Sequence, residues 1–293
     1  MTTSARERVA AFWDTHIAAW LSGEDPMPSP LPEWFESYKG IGPGKPTLDG
    51  FPEPYHGDLL CLKHTPRVVV LGLNPGEYRS QFQSRNGIFA KEIEKHDSYS
   101  NWATTGPYNR SPWEDEMGIN RYYQARLRFT RHWLQDPSAD HSDLLIFESY
   151  PWHSKSFRGR FRPPLEVIEQ FVWQPIAELP VRDVFAFGRS WHVLAKALRL
   201  TETRAFDAGG PEYSSSAAGR KVRTHTLPSG QRLVVVWQPG YAGPPSAKET
   251  ALLRDALVKA ASEGRSESTT PRPRAGASSD RALNPASAKQ PST

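Results

Sequence analysis

The chain has 293 residues, 38% of them hydrophobic and 23% charged, enough for a sizeable core, and no apolar run is long enough to span a membrane. Its single cysteine, Cys61, excludes an internal disulfide, a cysteine-rich zinc site and a four-cysteine iron–sulfur cluster. The net charge of +4 is weak evidence for a nucleic-acid partner, because half of it comes from residues 262–293, where Arg265, Arg272, Arg274, Arg281 and Lys289 face Glu263, Glu267 and Asp280.

No charged-then-apolar leader opens the chain, and with one cysteine a cytoplasmic location is expected. Val9, Phe12, Trp13, Ile17 and Trp20 recur at helical spacing and predict an amphipathic helix over residues 5–21. A Pro- and Gly-rich connector follows to about residue 66, with one helical turn expected at 33–38. Four short β-branched runs come next, within residues 67–74, 143–148, 181–188 and 232–240. Helical patterns occupy 122–134, 164–179, 190–198 and 246–261. Strands alternating with helices predict an α/β fold, a three-layer α/β/α sandwich around a central four-stranded parallel sheet. The expected organisation is an N-terminal helix and extension (1–66) packed on the core, an α/β domain (67–261) and a disordered tail (262–293) without a single aromatic. The polar stretch 77–117, dotted with Tyr99, Trp102, Tyr108 and Trp113, is expected to be a lid or a specificity loop.

Ligands of such sheets bind beyond the carboxyl ends of the strands, so the four strand-end loops should converge. The first, Gly72-Leu73-Asn74-Pro75-Gly76, is a rigid turn that aims Asn74 outward, where its amide can hold a water; a plain strand-to-loop turn is the alternative. After the second strand, Lys155, Arg158, Arg160 and Arg162 interleave with Phe157 and Phe161, a pattern that suits a nucleic-acid backbone or an anionic substrate or, more blandly, a solvated loop. Arg189 and Ser190 open the helix after the third strand, where backbone amides can hold a phosphate. His153 and His192 fit either a structural or a functional role, and His153 stands close to Glu148 in sequence.

These motifs, in this order, resemble the uracil-DNA glycosylase superfamily, whose mismatch-specific members carry Gly-Ile/Leu-Asn-Pro-Gly at the first strand end. The resemblance runs from about Arg67 to Leu257 by motifs rather than by continuous identity. It implies that Asn74 and Gln238 are catalytic, and that Gly72, Leu73, Gly76, Phe89, Glu148 and His153 bind substrate, with the Phe89 ring stacked on an extruded base. Lys155, Arg158, Arg160, Arg189, Ser190 and Tyr241 would contact DNA, Tyr241 as the wedge that fills the vacated stack. Three departures shape the expected substrate. Asn74 replaces the water-activating aspartate of the uracil-specific branch, and Gly76 replaces the tyrosine that blocks C5 of the base. Glu148, if ionised, only accepts hydrogen bonds and so suits the exocyclic amine of cytosine. Gln238, where many members carry histidine, can donate to the base O2 without a full charge.

The resemblance therefore implies a monofunctional DNA glycosylase that flips out and hydrolyses a 5-modified pyrimidine, foremost a modified cytosine such as the glucosylated hydroxymethylcytosine of phage DNA, in antiviral defence. The alternatives are a uracil or mismatch repair glycosylase and a non-catalytic DNA-binding module on the same fold. DNA is the expected partner; no cofactor, no metal, no membrane and no obligate protein partner are implied.

Overall fold

Each of the four β-branched runs forms a strand, because side chains such as Val, Ile and Phe fit a pleated surface packed on both sides. In the computed structural model, which describes residues 3–24, 27–206, 220–237 and 243–267, the strands are β1 (Tyr38–Gly40), β2 (Tyr55–His56), β3 (Val68–Gly72), β4 (Leu144–Glu148), β5 (Gly159–Phe161), β6 (Asp183–Phe187), β7 (Thr201–Phe206), β8 (Lys221–Thr226) and β9 (Arg232–Trp237). The expected four are β3, β4, β6 and β9. They pair in parallel, and every residue of β3 and β4 is buried.

The sheet is larger than the sequence pattern predicts. It has seven strands in the order β2-β4-β3-β6-β9-β8-β7, with antiparallel additions at both edges. β2 comes from the connector, which is therefore structural and not a plain linker; β1 of the same connector pairs with β5. β7 and β8 form a hairpin whose polar, threonine-rich sequence lacks the apolar run that marks a central strand.

Register and the two-residue period fix which side chains share a face. Gly72, Glu148, Phe185 and Phe187 lie on one face, and Phe129 and Trp133 of the helix Arg121–Leu134 pack there on Phe185 (centroids 4.9 and 4.6 Å). Trp237 lies on the other face, where His192 of the helix Arg189–Ala197 stacks on it at 4.7 Å. Helices thus cover both faces, as expected for α/β.

The helix Ala5–Leu21 forms with the predicted bounds, begun by a capping box in which Ser4 and Glu7 satisfy each other's backbone amides. Its buried stripe of Val9, Trp13, Ile17 and Trp20 meets Trp34 and Phe171, and the described residues up to Arg254 form one compact unit. The described residues from Asp255 to Glu267 belong to a second unit. The helix Ala247–Glu267 runs six residues past the expected boundary at 261, since each added turn residue gains a backbone hydrogen bond without a new nucleus. The rest of the expected tail lies outside the described residues. No helix among the described residues is long and apolar enough to cross a membrane.

Residues 77–117 are not a lid loop. They fold into the short helices Ser80–Gln83, Ile88–Lys95, Tyr99–Ala103 and Trp113–Met117 around buried Phe82, Phe89, Trp102, Tyr108 and Trp113. The aromatics that suggested a substrate loop build a core.

Candidate functional site

A cleft of about 1120 Å³ opens beyond the carboxyl ends of the parallel strands. All four strand-end loops reach it: Leu73 and Asn74 after β3, Phe157 after β4, Phe187 at the end of β6, and Gly243 and Pro244 after β9. The remaining wall is the helix Arg121–Leu134 and the residues before it. Arg121, Arg126 and Arg128 line the cleft, and no carboxylate is among its described lining residues. An open recess with that charge suits an anionic ligand.

Asn74 is held by the second loop. Its Nδ2 donates to the Ser154 carbonyl (3.1 Å) and to Ser154 Oγ (3.0 Å). A carbonyl can only accept, so the amide orientation is fixed and Oδ1 is the Asn74 atom left to accept from a ligand or a water. The two loops are zipped together by Ser149 N–H to Gly72 O, Tyr150 N–H to Leu73 O and Ser154 N–H to Gly76 O, at 2.9–3.0 Å. Gly76 has a φ of +97°, which favours glycine regardless of what its side chain would meet, and a Cβ there would meet nothing within 4 Å.

Beneath the cleft lies Glu148, 1% exposed. Gly72 is glycine for its sake, since a Cβ at position 72 would overlap the Glu148 carboxyl and the Tyr122 hydroxyl. Tyr122, which lines the cleft, donates its hydroxyl to Glu148 Oε1 at 2.7 Å, and Oε2 has no hydrogen-bond partner among the described residues. Burial pushes the Glu148 pKa up to about 8, against the pull of the Tyr122 hydrogen bond and the Arg126 charge, with Glu53 adding to the rise. The carboxyl is therefore mostly neutral at pH 7. The sequence pattern suggests an ionised acceptor; the tertiary structure withdraws the water that ionisation needs. Burial likewise raises the Tyr122 pKa well above its usual value, so Tyr122 remains a donor. The Arg126 guanidinium stacks 3.2 Å over the Tyr122 ring and donates to the Tyr122 carbonyl, while its buried Nε has no partner among the described residues.

Glu53, in the connector, anchors a second layer behind Glu148. Its carboxylate accepts from the Tyr108 hydroxyl at 2.6 Å, lies 2.8 Å from His56 Nε2 and 3.4 Å from His153 Nε2. Burial raises its pKa, but the His56 hydrogen bond and the two imidazole charges outweigh that and hold it below the usual range. His153 is fully buried and its own pKa is lowered, chiefly by burial. It thus supports the floor from behind and does not line the cleft.

The other expected residues fall in three groups. Phe89 is a core residue: it is fully buried against Phe82, Trp102, Tyr108 and Trp113 with centroids 5.0–5.9 Å apart, and presents no ring face to the cleft. Lys155, Arg158, Arg160, Arg189 and Ser190 are exposed and are not among the cleft's lining residues; Lys155 pairs with Glu77 at 3.2 Å. Between them, Phe157 stacks on Tyr38 at 4.4 Å, so the interleaved aromatics turn inward while the cations turn out. Gln238 and Tyr241 lie outside the described residues.

The sequence pattern did not single out Tyr122, Arg126, Arg121 or Arg128. Their spacing carries a signal: Tyr122 and Arg126 are one helical turn apart and Arg121 and Arg128 two, which aligns each pair along the helix. An arginine-rich helix face is ordinarily solvated, and only the cleft distinguishes this one. No protein-family model, curated protein or solved structure matches this chain.

Proposed function

We propose that the chain is a monofunctional DNA glycosylase that draws one nucleotide into this cleft and hydrolyses its N-glycosidic bond. The observation that carries the proposal is the pairing of a fixed Asn74 Oδ1 with a carboxylate-free recess walled by Arg121, Arg126 and Arg128 at the ends of the parallel strands. A water accepted on Asn74 Oδ1 adds to C1′ as the C1′–N1 bond breaks and its electron pair leaves on the base; the water's proton passes to solvent. Asn74 is too weak a base to remove that proton early, so the rate enhancement comes from positioning and from stabilising charge. Arg126, with an unpartnered Nε in a low-dielectric wall, supplies the full positive charge for the departing base that Gln238 lacks. Exposed Arg121 and Arg128 hold the flanking phosphates.

A 5-modified cytosine is the substrate this reading favours, since a Cβ at Gly76 would meet nothing within 4 Å among the described residues. The neutral Glu148 also admits a second substrate: a carboxylic acid both donates and accepts, and it matches the N3 and O4 edge of uracil as well as the N3 and N4 edge of cytosine. Duplexes containing uracil, unmodified cytosine or glucosylated hydroxymethylcytosine, assayed for alkali-labile abasic sites, separate these outcomes. Wild type is expected to cut glucosylated DNA, and Asn74→Ala to lose at least about 100-fold of that rate. Release from uracil DNA alone would replace the modified-cytosine substrate with uracil. Absence of abasic sites on every duplex would leave a DNA-binding module.

A further inference from the structure

His225 is an anomaly in the core. It lies on β8, fully buried, and neither of its ring nitrogens has a hydrogen bond among the described residues; the Leu200 carbonyl approaches the ring without meeting hydrogen-bond geometry. A buried polar group ordinarily finds a partner. The register places Glu202 of β7 directly opposite His225, and β7 then bulges between Glu202 and Arg204, a device that re-aims side chains at a sheet edge. Sheet parity puts His225 on the same face as Trp237, opposite the face of Glu148, and the helix Arg189–Ala197 lays His192 over Trp237 on that face. His192 Nδ1 also has no partner among the described residues. One donor atom each from His192, Glu202 and His225 lies within 4.8 Å of the other two.

We propose that His192, Glu202 and His225 form a site for one divalent transition-metal ion of the zinc class, which ties the helix following β6 to the β7–β8 edge of the sheet. Two imidazoles and a carboxylate are a donor set for zinc, and three protein ligands leave the fourth tetrahedral position to water. Tetrahedral zinc needs its donor atoms about 3.3 Å apart, so a rotation of exposed Glu202 and half-buried His192 completes the cage. Arg223 Nε lies 3.3 Å from Glu202 Oε1, and the carboxylate's second oxygen serves the ion. Ligation requires neutral imidazoles. Burial above all, then the charges of Lys196 and Arg223, hold both histidines below their usual pKa, against the opposing pull of Glu202.

The full chain, stripped with chelator and dialysed, is titrated with zinc chloride by calorimetry, and with cobalt(II) followed by its visible absorption. One ion per chain is expected, with the intense visible bands of tetrahedral cobalt and a raised melting temperature. His192→Ala and Glu202→Gln, both at solvent-accessible positions, should keep the wild-type circular dichroism and weaken binding at least tenfold. The chain's seven other histidines provide the control for adventitious uptake. Undiminished binding in His192→Ala would overturn the assignment, as would wild-type affinity weaker than about 100 µM or cobalt spectra of the octahedral, weakly absorbing kind.

Discussion

Replacing Glu148 with glutamine isolates the cost of burying a carboxyl. In the native protein the group titrates near pH 8, whereas its unfolded value is 4.5. A folded pKa above the unfolded one means that the native state binds the proton more tightly. Its stabilising contribution is complete below about pH 4.5 and is lost as the pH rises toward 8, because the native protein must then bury a charge or keep a proton the unfolded chain has released. At about 1.4 kcal/mol per pH unit, the loss between pH 5 and pH 8 is about 3 to 4 kcal/mol. Glutamine keeps the carbonyl that accepts from Tyr122 and cannot ionise, so all other titrations cancel between the two proteins. Urea denaturation of both at pH 5, 6, 7 and 8 gives the difference directly. Glu148→Gln should be close to wild type at pH 5 and more stable than it by about 3 kcal/mol at pH 8. A stability difference that stays constant over this range, or one in which wild type gains with pH, would refute a neutral buried Glu148.

Phe89→Ala should cost about 3–5 kcal/mol in denaturation, because it empties a site surrounded by four aromatic rings; an unchanged melting curve with lost activity would return Phe89 to base stacking. Gly72→Ala forces a methyl group into the Glu148 carboxyl and the Tyr122 hydroxyl and should destabilise by about 1–3 kcal/mol, measured in the same way. Arg121→Ala and Arg128→Ala are surface changes and should leave stability within about 0.5 kcal/mol of wild type. In DNA-binding titrations from 50 to 200 mM salt, each should flatten the slope of log K against log salt by about 0.9 for every phosphate that the variant no longer neutralises.

Much of the fold was legible because its signal is local. Hydrophobic periodicity marks the helix Ala5–Leu21 to the residue, and the four β-branched runs mark β3, β4, β6 and β9, since strands buried on both faces must be apolar throughout. Gly, Asn and Pro at the end of β3 mark the turn that carries Asn74, because those residues alter backbone preference by themselves. The antiparallel strands β2, β7 and β8 carry no such signal: they exist because a neighbour offers hydrogen-bonding groups, a property of another part of the chain.

The site divides in the same way. Residue types and order nominate Asn74, Gly72 and Glu148, and the structure brings all three to one strand-end region. Whether an aromatic faces ligand or core, and whether a carboxyl is charged, depend on what surrounds them in space. Phe89 looked like a stacking platform and is enclosed by the rings of Phe82, Trp102, Tyr108 and Trp113; Glu148 looked like an acceptor and is kept neutral by the loss of water around it. Tyr122 and Arg126 belong to the cleft only because their helix packs on Phe185 and Phe187. The sequence by itself determined the parallel strands, their order along the chain and the loop chemistry at their ends. Tertiary structure alone decided protonation, burial and convergence, because each is set by solvent exclusion and by partners distant in the chain.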